Sequence, residues 1–311
     1  MIHVLTTAPH TYTVGDYLKS WAGPSHPVIK ILPYETLPTI LSRGTYIFSD
    51  LERLSPAQCA LAGEVWNQLA AAGNGIRLLN HPVKAARRLT LLERLYEAGR
   101  NTFRAFRVTD RRAEPRFPVF VRREGEHEGS FTGLLRDQTE VDQAIVRLLL
   151  SGIDVDEILI VEFCDTSIDG IFRKYSAFRV GDRIVPRHLI FSQKWVLKLP
   201  DLLDAAKLEE ERAYLGSNPH EQELREIFDM ANIDYGRIDY GVLDGRIQVW
   251  EINSNPIVML PRDQYKRQHL PAQEIFAPQI RQAFEAIDST GPAQPMVPIS
   301  LTECAWRIRD A

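Results

Sequence analysis

The sequence predicts a mixed architecture: an N-terminal α/β domain followed by two α+β pieces. Three observations predict it. Over the first eighty residues short apolar runs alternate with helix-period segments, which favours a small parallel sheet with helices on its faces. Farther along, two pairs of strand-like runs are joined by Gly181-Asp182 and Asp244-Gly245, both hairpin turns. Between and after these pairs lie charged, helix-period stretches, so strands and helices are segregated rather than alternating.

In chain order, IHVLTT (2–7), PVIKIL (27–32), TYIFSD (45–50) and IRLLN (76–80) read as strands. Ser55-Pro56 opens a helix with Leu61, Val65, Trp66 and Leu69 on one face, ended by Gly73 or Gly75. A second helix is expected over 82–98, with Pro82 at its start and Gly99 closing it. A basic stretch (Arg104 to Arg116) leads to the strand FPVFVRR and the polar, glycine-bearing loop EGEHEGSFTG. A helix at 138–151 and the apolar strand EILIVEF (157–163) follow. FRKYSAFRV and RIVPRHLIF form the first hairpin. Residues 204–231 are helical with a break near Ser217-Asn218-Pro219, YGRIDYGVL and RIQVWEINS form the second hairpin, and 272–288 is a helix. Beyond Ser289 the chain is rich in Pro and Gly and reads as a surface tail, with LTECAWRIR docking through Leu301, Ala305 and Trp306.

With 311 residues, 44% of them hydrophobic and 25% charged, the chain is ordinary for a globular protein of two or three small domains. A formal charge of -4 argues against a general nucleic-acid binder or an anionic-membrane surface protein. Cysteines 59, 164 and 304 are odd in number and unpaired in spacing, so neither a disulfide framework nor a thiolate zinc site is expected. The N-terminus lacks a signal-peptide pattern and no apolar run approaches the ~20 residues that span a bilayer, so the expected location is the cytoplasm.

The chemistry concentrates in RIDYGVLDGRIQVWEINSNP (237–256). With its turn at Asp244-Gly245, the hairpin places Asp239 opposite residues 250–251, and strand alternation puts Glu251 and Asn253 on one face. Two carboxylates facing each other repel unless a cation lies between them. Hard oxygen ligands of this kind suit Mg²⁺, or Mn²⁺ in its place, bound together with phosphate. Trp195 and Trp250 are expected to pack, Trp250 alternating away from Glu251 into the core.

This segment resembles the C-terminal motif of the ATP-grasp superfamily, in which an Asp on one strand and a Glu-x-Asn-x-x-Pro run on the next hold two Mg²⁺ ions. Glu251, Asn253 and Pro256 match it, with Asp239 upstream. LLNHPVKAARRLTLLERLYEAGRNTFRAF is similar to the family's Asn-x-Pro segment and its following helix. FPVFVRR resembles the strand bearing the second phosphate-binding cation, GEHEGSFTG the mobile glycine loop, and EILIVEFCD the hinge that receives adenine. The resemblance spans roughly residues 76–290.

It implies a Rossmann-like domain (1–80) before a two-lobed, glutathione synthetase-like ATP-grasp fold (81–290, small lobe about 100–163, large lobe about 164–290), then a tail (291–311). It also implies ATP as cofactor, with Asp239, Glu251 and Asn253 on the metal and Arg88 (or Arg87), Arg122 and Lys174 on phosphates. Those arginines depart from the family's usual lysines. Gly129 belongs to the phosphate-covering loop. Glu162 would accept from the adenine amino group, Phe163 and Cys164 would flank the ring, and Asp165 or Asp169 would take the ribose. From the residues themselves, Arg173, Lys174, Arg179, Arg187, His188 and Lys194 form a cationic set on the strands after the hinge. Arg187, His188 and Lys194 are the candidates for the acyl-phosphate region. The implied activity is a ligase joining a small-molecule or peptide carboxylate to an amine, with an ATP-grasp phosphotransferase or a non-catalytic ATP-binding scaffold as the other readings. Neither nucleic acid nor membrane is an implied partner, and a homodimer is left open.

Overall fold

The computed structural model describes residues 1–110, 114–127, 129–197, 201–289 and 296–300. The N-terminal elements are β1 (Ile2–Thr6), α1 (Tyr12–Ser20), β2 (Ile29–Pro33), β3 (Ile40–Leu41), β4 (Gly44–Phe48), α2 (Pro56–Ala71) and β5 (Ile76–Leu79). Strands β2-β1-β4-β5 form one parallel sheet in that order, as the β-α-β alternation predicts. α2 starts on a capping box: the Ser55 hydroxyl accepts from the Gln58 amide and the Gln58 side chain accepts from the Ser55 amide.

Next come α3 (Arg88–Glu97), β6 (Ala105–Arg107), β7 (Val119–Arg123), α4 (Gln138–Leu150) and β8 (Ile158–Glu162). β6-β8-β7 is a three-stranded antiparallel sheet. The rest is β9 (Phe172–Val180), β10 (Arg183–Ser192), α5 (Ala205–Ser217), α6 (Glu221–Ala231), β11 (Tyr235–Leu243), β12 (Arg246–Asn253), α7 (Leu270–Ile287) and β13 (Val297–Pro298). β10-β9-β11-β12 forms a four-stranded antiparallel sheet, and β13 pairs with β3.

Two expectations are corrected here. The helix expected from Pro82 begins at Arg88, six residues later. Pro82 opens only an isolated turn, in which the Lys84 and Ala85 amides donate to His81 O, and the Ala86 amide then donates to Ala231 O, which pulls the chain off a helical path. Residues 12–20 form α1, a helix not expected from the sequence, burying Thr13, Val14 and Tyr17. The break in 204–231 falls where expected, with Asn218 left-handed at φ 46°. The docking expected of 301–309 lies outside the described residues.

One core joins the first sheet to the last. Ile2, Val4, Ile47 and Leu79 pack with Phe178, Val180, Phe276 and Phe284, so α7 lies between the parallel sheet and the four-stranded one. Asn80 welds the same junction with polar bonds. Fully buried and left-handed at φ 64°, it accepts from the Asp234 and Tyr235 amides (2.7 and 2.9 Å) and donates to Tyr235 O (2.7 Å). Among the described residues no helix is long and apolar enough to cross a membrane.

Asn80→Ala leaves three backbone groups of the Asp234–Tyr235 turn without partners, each costing about 1–3 kcal/mol when buried. The expected outcome is a loss of about 3 kcal/mol or more, read as a lowered denaturation midpoint. A midpoint unchanged from the parent chain defeats this account of the junction.

Candidate functional site

β11 and β12 pair with Asp239 opposite Glu251, within the 250–251 expected, a one-residue bulge having moved the partner on from Trp250. Both carboxylates are buried on one face. The Asp239 carboxylate accepts from Ser176 Oγ (2.5 Å), Arg237 Nε (3.0 Å) and Lys174 Nζ (3.4 Å). Glu251 Oε2 accepts from Arg122 Nη2 (3.0 Å) and from Arg88 Nη2, while its Oε1 lies 3.6 Å from His127 Nδ1. Burial pushes both carboxyls up, yet the neighbouring cations outweigh it: Arg237 and Lys174 hold Asp239, and Arg88, Arg122 and His127 hold Glu251, well below the usual carboxylate range.

A cavity of about 370 Å³ opens beside this pair, between the three-stranded sheet and the four-stranded one. Its two ends differ in chemistry. One is aromatic, where Trp195 packs against Phe120 (4.9 Å between centroids) and Phe163 (5.8 Å), with Phe172 alongside. The other carries Arg122, Lys174, Arg237, Asp239 and Glu251. Gly129, at φ 110°, lines the wall between them.

Trp195 and Trp250 pack as expected, Trp195 on Phe120 and Phe163 and Trp250 on the buried cluster around Leu92 and Phe103, and both also line the cavity. The register shifts between Asp239 and Tyr240, where Asp239 faces Glu251 and Tyr240 faces Val249, so Trp250 is the unpaired residue of a bulge and loses strict alternation. A second shift, between Pro186 and His188, makes Arg187 the extra residue of β10. Arg187 turns away from the cavity, donating to Val258 O and Tyr265 Oη (both 3.1 Å) with its guanidinium over Phe276. His188 Nε2 lies 2.8 Å from Ser176 Oγ, and so is linked to Asp239 through that hydroxyl; burial, then Lys174 and Arg187, keep its imidazole neutral. Lys194 is exposed and outside the cavity lining, as is Asp169, left-handed at φ 51° in a turn.

Glu162 also differs from expectation. Its carboxylate accepts six bonds: three from Arg104 (amide, Nε, Nη2) and three from Arg116 (amide, Nε, Nη2), at 2.6–3.1 Å. No capacity is left for an adenine amino group, so Glu162 is a clamp that fixes the segments around Arg104 and Arg116 to the end of β8. Cys164 lines the cavity near Thr102 Oγ1 (3.5 Å), and burial pushes its thiol up, away from nucleophile chemistry.

Of the two arginine alternatives, Arg87 turns to Leu54 O and Cys59 Sγ. Arg88 faces Glu251, but its Nη1 holds the carbonyls of Arg123, Glu124 and Glu126, and it lies outside the cavity lining. Arg122 does line the cavity, and its buried Nε has no partner, a donor aimed at no protein acceptor. Asn253 sits at the base of the hairpin with its Oδ1 accepting from the Asn255 amide (2.8 Å), so its oxygen already serves the following turn.

Sequence reasoning missed Arg237, His127 and Glu52. Arg237 was legible, because residues two apart on a strand share a face with Asp239. His127 stood inside the quoted loop with no signal of its own. Glu52 lies in a short turn some two hundred residues from its partner Ser254.

No family model matches the chain, and no curated protein matches it. Among solved structures the chain is similar to a D-alanine–D-alanine ligase from Bacillus anthracis complexed with ATP, at 14% identity, covering 91% of this chain and 98% of that one, with a TM-score of 0.45. It is similar to an L-amino acid ligase from Bacillus licheniformis at 10% identity, 91% and 74% coverage and a TM-score of 0.44. A D-alanine–D-alanine ligase from Helicobacter pylori shows 12% identity, 94% and 99% coverage and a TM-score of 0.44. Likenesses of this size carry no argument about chemistry, which rests on the side chains.

If Glu162 is a clamp, Glu162→Gln costs stability and leaves nucleotide affinity nearly intact. Its carboxyl is held below the usual range: burial raises it, and the bonds from Arg116 and Arg104 more than compensate. A lowered folded-state value means the unfolded chain takes up its proton first, so the stabilisation is present above the ordinary carboxylate range and fades as pH falls through the folded value. Glu162→Gln should therefore cost about 2 kcal/mol at neutral pH, with the gap closing in acid. Melting curves at pH 7 and near pH 4 check this; a gap independent of pH contradicts it.

Proposed function

We propose that this chain is a Mg·ATP-dependent ligase of the ATP-grasp kind, activating a carboxylate as an acyl phosphate for attack by an amine. The carrying observation is the two-ended cavity. A planar aromatic-lined end suits a nucleobase, and an end with Arg122, Lys174 and Arg237 around two ionised carboxylates suits a polyphosphate and its metal. In this reading residues 1–80 are the Rossmann-like domain before the grasp, about 100–163 and 164–290 are its lobes, and the protein acts in the cytoplasm on small-molecule or peptide substrates.

The donor set fits Mg²⁺ of one kind only. Among the described residues no three His, Cys, Asp or Glu side chains gather into a metal cage. Two carboxylates on adjacent strands do fit an ion that takes one or two protein carboxylates and fills its remaining positions with phosphate oxygens and water. Asp239 and Glu251 would hold it, and it would neutralise the terminal phosphates and activate the γ-phosphoryl group. Asn253 would join them once its oxygen leaves the Asn255 amide.

The protein's own part is positioning and charge. Arg122 and Lys174 bind phosphate oxygens. Arg237, held by Asp239, presents its guanidinium to the transferred group. The substrate carboxylate oxygen bonds to the γ-phosphorus as the bond to ADP breaks. The amine then adds to the acyl carbon, phosphate leaves with the former carboxylate oxygen, and the amine gives up its proton. His188, neutral and joined to Asp239 through Ser176, fixes that carboxylate's orientation. Arg187 and Lys194 take no part in this reading.

Mg·ATP should raise the melting temperature, because a ligand bound only to the folded state stabilises it by about 2.7 kcal/mol at a hundredfold excess over Kd. In Asp239→Ala/Glu251→Ala the resting melting point falls and the magnesium-dependent part of the shift vanishes. Retention of that part means the metal is held elsewhere.

With the true carboxylate supplied and hydroxylamine in place of the amine, ADP and a hydroxamate should accumulate together, in equal amounts. AMP and pyrophosphate would overturn the γ-transfer mechanism. ADP without hydroxamate, on an acceptor lacking a carboxylate, makes the protein a phosphotransferase. No nucleotide consumption with any acceptor leaves the scaffold reading.

A further inference from the structure

The charged groups around Glu251 extend into a part of the molecule that the proposed reaction does not use. Glu52 sits in the turn Leu51–Arg53 after β4, in the parallel-sheet domain. Its side chain is nearly buried, at 12% exposure, and accepts from the Ser254 amide (3.1 Å) and the Ser254 hydroxyl, which anchors it to the segment after β12. On its other side it meets His127: Nε2 lies 2.9 Å from Glu52 Oε1. The same imidazole has Nδ1 3.6 Å from Glu251 and 3.4 Å from Arg88 Nη2. One side chain of the strap 124–127 is thus seated between the N-terminal domain and the metal carboxylate.

The backbone shows the same docking independently. A Cβ placed on Gly125 would lie 2.7 Å from Glu52 O, inside any real contact, so the strap rests on the Glu52 turn only because residue 125 has no side chain. Glu124 fastens the other edge, accepting from the Leu89 amide at the start of α3 and from Arg107 Nη2 (2.5 Å). Arg88 reaches under the strap to the carbonyls of Glu124 and Glu126 and to that of Arg123 just before it. Over 124–127 the start of this glycine-bearing loop is held by polar contacts.

We propose that Glu52 and His127 form an interdomain latch that seats the strap over Glu251, making His127 a positioning residue for the phosphate end of the cavity. This rests on the ligase reading for its consequence, while the latch itself rests on the Glu52, Gly125 and His127 contacts alone. The physical effect is preorganisation: a strap already seated leaves less chain to order when nucleotide binds. Losing the latch therefore weakens Mg·ATP binding and leaves the rate of chemistry at saturation nearly unchanged.

The test uses the full chain and two readouts. A Glu-specific protease measures cleavage after Glu124 and Glu126 without nucleotide, in the parent chain, His127→Ala, Glu52→Gln, the double variant, Gly125→Ala and His127→Gln. The expected result is cleavage about tenfold faster in each of the first two single variants and in Gly125→Ala. The double variant should be no faster than the faster single, since partners in one contact are non-additive. His127→Gln, which keeps a donor toward Glu52, should recover part of the protection. In the second readout, KM for Mg·ATP rises several-fold in Glu52→Gln, which lies outside the cavity lining, with kcat within about twofold.

Unchanged cleavage in His127→Ala, or strictly additive effects in the double variant, overturns the latch. A fall in kcat with KM unchanged overturns its positioning role. If no variant or parent consumes ATP while the proteolysis pattern holds, the latch stands and the ligase reading fails, so the two are separable.

Discussion

Two carboxylates on the same face of adjacent strands cannot both stay ionised in a buried site without cations beside them. At the ~5 Å typical of cross-strand neighbours, and an effective dielectric near 20, their mutual repulsion is about 3 kcal/mol, before any cost of leaving water. Around Asp239 and Glu251 the protein answers with Lys174 from β9, Arg237 from β11, Arg122 from β7, Arg88 from α3 and His127 from the strap. Three strands, one helix and the strap therefore each send a cation to one carboxylate pair. The cations exceed the carboxylates in number, so the cluster is electrostatically incomplete. A bound polyphosphate is the kind of group that would complete it, and the unpartnered Nε of Arg122 is where the deficit is visible atom by atom.

The same pair fixes how the parts of the chain sit together. Glu251 and Ser254 are three residues apart; the first gathers Arg88, Arg122 and His127, the second gathers Glu52. Asn255, next along, donates to Thr6 Oγ1 (2.8 Å) and accepts from Thr13 Oγ (2.7 Å), reaching the carboxyl end of β1 and the start of α1. So the run from β12 into its following turn contacts α3, β7, the strap and the parallel-sheet domain within five residues. A displacement of the hairpin would be felt at all three, and the Asn80 junction at the far end of β11 limits that displacement.

The hairpin register was legible to within one residue: a two-residue glycine turn and a period of two run Asp239 to residues 250–251, and the bulge at Trp250 is what brings it opposite Glu251. The strands and helices flanked by Gly and Pro were legible for the same reason. What was hidden depended on departures from regularity or on distant partners. A bulge at Trp250 and another at Arg187 turned side chains to faces that alternation forbids. Pro82 carries the sequence mark of a helix start, but its turn is captured by the Ala231 carbonyl, a partner no local reading contains. Glu162 shows the limit of position as a guide to role. It lies where a base-reading carboxylate was expected, and Arg104 and Arg116, within the basic stretch upstream, occupy all of its oxygens.

The arginines at 88 and 122 follow from the same electrostatics. Burial, and then the charge of Arg88 beside it, bring Arg122 down to about 10, where it is still fully protonated at neutral pH. A lysine starts from a lower intrinsic basicity, near 10.4, so the same burial and neighbouring charge would press it closer to neutrality. Two cations that share one oxygen of Glu251 in a site this dry stay charged together only if their intrinsic basicity is high enough to absorb the loss. Arginine meets that condition, and its planar fork lets Arg88 hold three carbonyls and a carboxylate at once, which an ammonium with three donors cannot do. Guanidinium chemistry thus keeps the charge of the cations buried against Glu251.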